Sequence, residues 1–171
     1  ILWRHTVGLL TYLIAATATG VIIGGHTRRT WLRAATWALV ALPALGWLST
    51  RPARWDSAPF VALFGIYALH LVAQLRESAS ADQPPSTLDV FLLHANGLWL
   101  WAGLALLIEK VALEHLGRVT FLLAAWHAAV AAGVLGRNRE TALHLVALAA
   151  ALVGTGVALE FDGAAVTVAW A

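Results

Sequence analysis

With no cysteine, no methionine and seven histidines, this chain has few side chains able to do chemistry, and the informative ones lie inside apolar runs. His70 and Gln74 fall late in one run. His94 and Asn96 fall early in the next, His127 near the centre of another, and His144 early in the one after that. A polar or ionisable group in a membrane segment is costly, so each is a functional candidate. Imidazole titrates near neutrality and ligates metals, which leaves two chemistries open: a proton relay or a divalent-ion site.

Three of these histidines share a depth. His70 lies five residues before Leu75, His94 five after Asp89, and His144 four after Glu140. At about 1.5 Å per residue, all three sit roughly 6–8 Å below the same membrane face. Converging from three helices, they would hold Zn²⁺ or another divalent ion with a position left for water, or pass protons. Taken singly, each is more often a span-end histidine that snorkels or bonds a neighbouring helix. No H-x-x-x-H or H-E-x-x-H spacing supports a metal within one helix, and only His127 has the depth for a haem ligand. No cofactor-binding motif is present. There is no G-x-S-x-G elbow, no phosphate-binding glycine loop followed by Lys, and no buried carboxylate pair. Glu160 and Asp162 flank a tight turn and read as solvated.

The elements that must position these residues follow from composition. The chain has 171 residues, 60% hydrophobic and 12% charged. Soluble domains are about 25% charged, and so few charges cannot cover an apolar core with polar surface. The outer face must therefore meet something apolar, for which lipid is the simple candidate and a large covering partner the alternative. Net charge is +2, with no basic stretch interleaved with aromatics, so a nucleic-acid partner has no support.

A bilayer core about 30 Å thick takes about 20 helical residues. Runs of that length between charged or turn-rich breaks predict an all-α polytopic bundle of six spans plus the start of a seventh, all one transmembrane region. They fall near 6–25, 31–49, 58–75, 88–108, 117–136, 141–161 and 164–171. Arg33 lies near the start of the second span, placed to snorkel. Pro43 is inside that span and is expected to kink it. Ser57 suits an N-cap, and Pro59 a first turn. Arg76–Thr87, with Pro84 and Pro85, is the expected flexible connector. Glu109–Leu116 reads as a short interfacial amphipathic stretch, and Asp162-Gly163 as a tight turn.

Short loops make successive helices antiparallel neighbours. Gly20 and Gly24 form a GxxxG, and Ala125, Ala129 and Gly133, with Gly154 and Gly156, continue the small-residue theme expected at helix seams. Of nine tryptophans, Trp3, Trp31, Trp47 and Trp55 fall near span ends, as an aromatic belt would. Trp99, Trp101 and Trp126 lie deeper, at a helix seam or a substrate cavity. The loops after spans one, three and five hold six Lys/Arg against five on the other side, which slightly favours the first group as cytoplasmic.

The last thirty residues carry a further pattern. Ala142-Leu143-His144-Leu145-Val146-Ala147-Leu148-Ala149 is followed by Val157-Ala158-Leu159-Glu160-Phe161-Asp162-Gly163 and then Val166-Thr167-Val168-Ala169-Trp170-Ala171. A helix ending in an acidic or Asp-Gly turn, then a helix opening Thr-x-x-Trp-Ala, resembles the large bacterial membrane proteins of the domain of unknown function 2339 family. Asn96 within Leu92–Leu100 is also similar; the remainder agrees in helix rhythm. The resemblance implies an internal portion of a longer, multi-pass protein of the bacterial inner membrane, whose remaining helices would be its partners beside the lipid bilayer. It implies no activity. Members usually continue with Glu after Trp-Ala, a position that follows Ala171.

Together these observations favour a multispan scaffold or transporter-like protein for a lipid-linked or apolar substrate. The alternatives are an intramembrane metal-dependent enzyme or proton relay on the histidine layer, and a purely structural assembly subunit.

Overall fold

The computed structural model describes residues 2–27, 29–50, 57–80 and 84–161. They form six α-helices: α1 Leu2–Thr27, α2 Thr30–Thr50, α3 Ser57–Ser80, α4 Thr87–Ala112, α5 Leu116–Val134 and α6 Arg139–Glu160. One 3₁₀ turn, Leu113–His115, joins α4 to α5, and no strand occurs among the described residues. The expected turn at 162–163 and the span at 164–171 lie outside them.

All six helices are long and apolar enough to cross a membrane. Their outward faces are apolar as well: Leu39, Leu42, Val61, Leu122 and Leu143 are each more than half exposed. Water would penalise such a surface on every side, whereas hydrocarbon does not. The chain is a multi-pass membrane protein with a lipid environment.

Local chemistry sets the helix ends. Ser86 caps α4 in a reciprocal box: its Oγ accepts from the Asp89 amide at 3.2 Å, and Asp89 Oδ2 accepts from the Ser86 amide at 3.1 Å. Asn138 caps α6 by accepting from the Thr141 amide at 2.9 Å. Pro59 lies in the first turn of α3, and α2 runs through Pro43 to Thr50.

Two boundaries differ from the sequence expectation. Helix α3 continues past residue 75 to Ser80, because Glu77 is held on it by an ion pair with Arg33, so the polar connector is shorter than Arg76–Thr87. Glu109–Leu116 is not a separate interfacial stretch. It is the last turn of α4, the 3₁₀ turn and the start of α5, anchored by buried Ala112 and Leu116.

Successive helices alternate in direction. Helix α4 is the centre, packing on α2, α3, α5 and α6, while α1 covers α2 and α3. Small residues set the closest approaches. A Cβ added at Gly20 would collide with Thr36, and one at Gly24 with the Arg33 side chain, so the GxxxG faces α2. Gly103 receives Leu63 of α3, and Gly156 receives the Phe121 ring. The expected stripe of Ala125, Ala129 and Gly133 is not a seam: all three are exposed, and a Cβ at Gly133 would meet nothing. Helix α5 instead buries Thr120, Leu123, Ala124, His127 and Ala131.

Candidate functional site

Begin at the membrane face where α2 and α4 start and α3 ends. Arg33 does not snorkel: it is 2% exposed and turned into the bundle. Its Nη2 donates to Asp89 Oδ1 at 2.8 Å, to the Glu77 carboxylate, and to Thr30 Oγ1 at 3.3 Å. Glu77 and Asp89 are 35% and 25% exposed, so the cluster opens to the aqueous side through its carboxylates. Two carboxylates on one guanidinium leave the cluster one charge negative. Asp89 also closes the α4 capping box, which fixes the carboxylate that Arg33 uses.

Beside this cluster lies a cleft of about 1220 Å³. Thr30, Gln74, Glu77, Ser86, Asp89 and His144 line its mouth. Its deeper wall is apolar, built by Ile14 of α1 and by Gly65, Ala68, Leu69 and Val72 of α3. Glu77 to Gly65 is twelve residues, or roughly 18 Å of helix, so the apolar wall reaches past mid-bilayer.

At mid-bilayer, about 15 Å below Glu77 by helix rise, Tyr67 collects three bonded side chains. Trp126 Nε1 donates to Tyr67 Oη at 3.0 Å. His127 Nδ1 is 2.7 Å from the Leu123 carbonyl, which only accepts, so this nitrogen carries the ring hydrogen. In the neutral ring Nε2 then accepts from Tyr67 Oη, 3.0 Å away. Asn96 Nδ2 donates to the Tyr67 carbonyl at 3.0 Å, while Asn96 Oδ1 has no partner. The amide and histidine singled out in the sequence therefore meet on a tyrosine that was not.

The histidine layer is brought together only in part. His94 Nε2 and His144 Nδ1 are 3.4 Å apart, with rings edge-on at 86°. His70 does not join them. It is buried on the α3 face that also carries Gln74 and Glu77, toward Arg33, whereas His94 faces α6. Equal depth defines a layer, not a seam. Among the described residues, no group of three or more His, Cys, Asp or Glu is placed to hold a metal ion.

The deep tryptophans do not line the cleft. Trp99 Nε1 donates to the Ala41 carbonyl at 2.9 Å, and Trp101 Nε1 to Thr120 Oγ1 at 3.0 Å. With Trp126 they bridge helices, which satisfies an indole N–H where water is absent. Residues that sequence reasoning did not place in a site are Tyr67, Glu77 and Asp89, together with Arg33 in its paired role. The available signal was a basic residue inside one span with an acid just past the end of another.

Comparison with protein-family models, curated proteins and solved structures finds no match to this chain. The fold and site define a class only: a multi-pass helical membrane protein with a polar-mouthed, apolar-walled cleft.

Proposed function

We propose that this chain is the transporter-like part of a bacterial inner-membrane protein, and that the α1–α3 cleft handles a lipid-linked or apolar substrate. The observation that supports this most is the polarity gradient of the cleft. Its mouth offers hydroxyl, amide and carboxylate groups at headgroup depth, and its wall offers a continuous apolar surface to an acyl or isoprenoid-type chain. Arg33 and Arg76 offset Glu77 and Asp89 at the mouth, so the matching headgroup is polar with little net charge. The similarity of residues 142–171 to the domain of unknown function 2339 family supports the bacterial inner-membrane setting and adds no activity.

The test is photolabelling in liposomes with a phospholipid bearing a diazirine on its acyl chain. Label should concentrate on the α1 and α3 segments that line the cleft, and Ala68→Trp should deplete it there. Even labelling of all outward faces, unchanged by Ala68→Trp, would make the cleft an ordinary lipid-facing surface and favour a purely structural subunit.

The His94–His144 approach supports a second reading, a divalent-ion site such as zinc whose remaining ligands are water or substrate. Metal analysis of the purified chain separates the two. Stoichiometric zinc lost in a His94→Ala/His144→Ala variant favours the second, and its absence from the parent chain sinks it.

A further inference from the structure

The buried side-chain atoms that lack a hydrogen-bond partner are not scattered. Among the described residues they are Arg33 Nε and Nη1, Trp37 Nε1, His70 Nε2, Gln74 Oε1 and Asn96 Oδ1. All lie on α2, α3 and α4, at the Arg33–Glu77–Asp89 cluster or deeper than it by helix rise. Helices α5 and α6 contribute none. A buried polar atom without a partner costs about 1–3 kcal/mol, and a bound water removes that cost, so these six atoms on five residues mark where water is held between the helices.

Their order along α3 is informative. Glu77, Gln74, His70 and Tyr67 recur at intervals of three and four residues, which puts them on one helix face. The steps are about 4.5–6 Å along the axis. Two hydrogen bonds of about 2.8 Å reach about 5.6 Å, a span comparable to each step, so a water between neighbouring side chains is the natural bridge along this face. Asn96, bonded to the Tyr67 carbonyl, closes the inner end from α4, and Trp37 flanks the file from α2. Gln74 is 7% exposed, lines the cleft mouth, and has an unpartnered Oε1, so the file has a wet entrance. The charged groups at that entrance are Arg33, Glu77, Asp89 and Arg76; the titratable groups further in are His70, Tyr67 and His127.

We propose that this file is a hydrated half-channel that delivers protons from the Glu77/Asp89 face to Tyr67 and His127 at mid-bilayer. A proton enters from bulk water. Along the file each O–H bond formed is matched by one broken. In the last transfer the Tyr67 O–H bond breaks as the N–H bond at His127 Nε2 forms, and the water behind Tyr67 gives its own proton to Tyr67 Oη, so the hydroxyl is restored, the charge rests on the His127 imidazolium, and nothing is oxidised or reduced. Donors (Trp37, Arg33) and acceptors (Gln74, Asn96) alternate with His70, which serves as either, so a water chain is held in both orientations. This inference is independent of what the cleft binds, because its test contains no lipid substrate.

The test is hydrogen–deuterium exchange of side-chain labile protons by ¹⁵N-detected NMR of the full chain in nanodiscs. Expressed as protection relative to the free side chain, the His127 Nδ1–H should be at least about tenfold less protected than the Trp99 Nε1–H, a buried indole on the far side of mid-bilayer; tenfold corresponds to about 1.4 kcal/mol. Gln74→Leu and His70→Leu should each raise His127 protection toward that of Trp99 without changing Trp99. Should either variant misfold, Asn96→Leu or nanodisc water-to-His70 magnetisation transfer in the parent chain reads the same file. Protection at His127 as high as at Trp99, or low protection untouched by the file variants, overturns the proposal.

Discussion

Tyr67 on α3 and His127 on α5 meet at 3.0 Å, Oη to Nε2, with α4 packed against both helices at that level. Both are almost fully buried. A hydroxyl in hydrocarbon must find a partner, and this one serves two, since Trp126 donates to it.

Tyr67→Phe keeps the ring and removes that hydroxyl, leaving His127 Nε2 and the Trp126 indole without it. The expected loss is about 1–3 kcal/mol, read as a lower melting temperature of the detergent-solubilised protein. A Tyr67→Phe chain as stable as the parent would mean that neither bond matters to the packed state.

The Arg33 cluster is asymmetric. Its guanidinium is buried while both carboxylates reach water. Arg33→Met should be mild, because the freed acids rehydrate and the methionine fills the space of the arginine stem. The pair Glu77→Gln/Asp89→Asn strands a buried cation and should cost about 3–5 kcal/mol in the same unfolding measurement. The reverse ranking would show that the acids, not the arginine, are the buried partners.

Glycine positions separate helix seams from lipid-facing surface. Gly103→Leu would drive a side chain into Leu63, and Gly20→Leu would drive one into Thr36. Each should lower stability by about 1–3 kcal/mol or more, as overpacking does. Gly133→Leu meets open space and should be neutral or slightly stabilising, because leucine is the better helix former. Thermal denaturation of the three variants side by side ranks them directly.

Apolar run length between charged breaks was sufficient for six spans, because the bilayer imposes one period and one length on every element. It misplaced the end of α3, since an ion pair to another helix keeps Glu77 helical and no local signal encodes that partner. Depth along each helix was readable from residue count, which set His70, His94 and His144 at one expected level. Azimuth was not. Which seam a residue faces depends on helix rotation and neighbours, so only His94 and His144 meet. For the same reason Arg33 looked like a snorkelling residue until α3 and α4 supplied its acids. The outward stripe of Ala125, Ala129 and Gly133 shows that small residues alone do not mark a contact.

The proposed movement of an amphiphile through the α1–α3 cleft is open to a direct assay. Its most direct test is lipid translocation in liposomes holding the purified chain and a trace of headgroup-labelled fluorescent phospholipid, bleached by a membrane-impermeant reductant. A cleft that moves phospholipid gives bleaching beyond the outer leaflet. Ala68→Trp in the cleft wall should slow it about tenfold, or ~1.4 kcal/mol of barrier, and Leu122→Trp on the outward face of α5 should leave it unchanged. Bleaching that stops at the outer leaflet, as in protein-free liposomes, or that is equally slowed by both substitutions, would contradict the proposal.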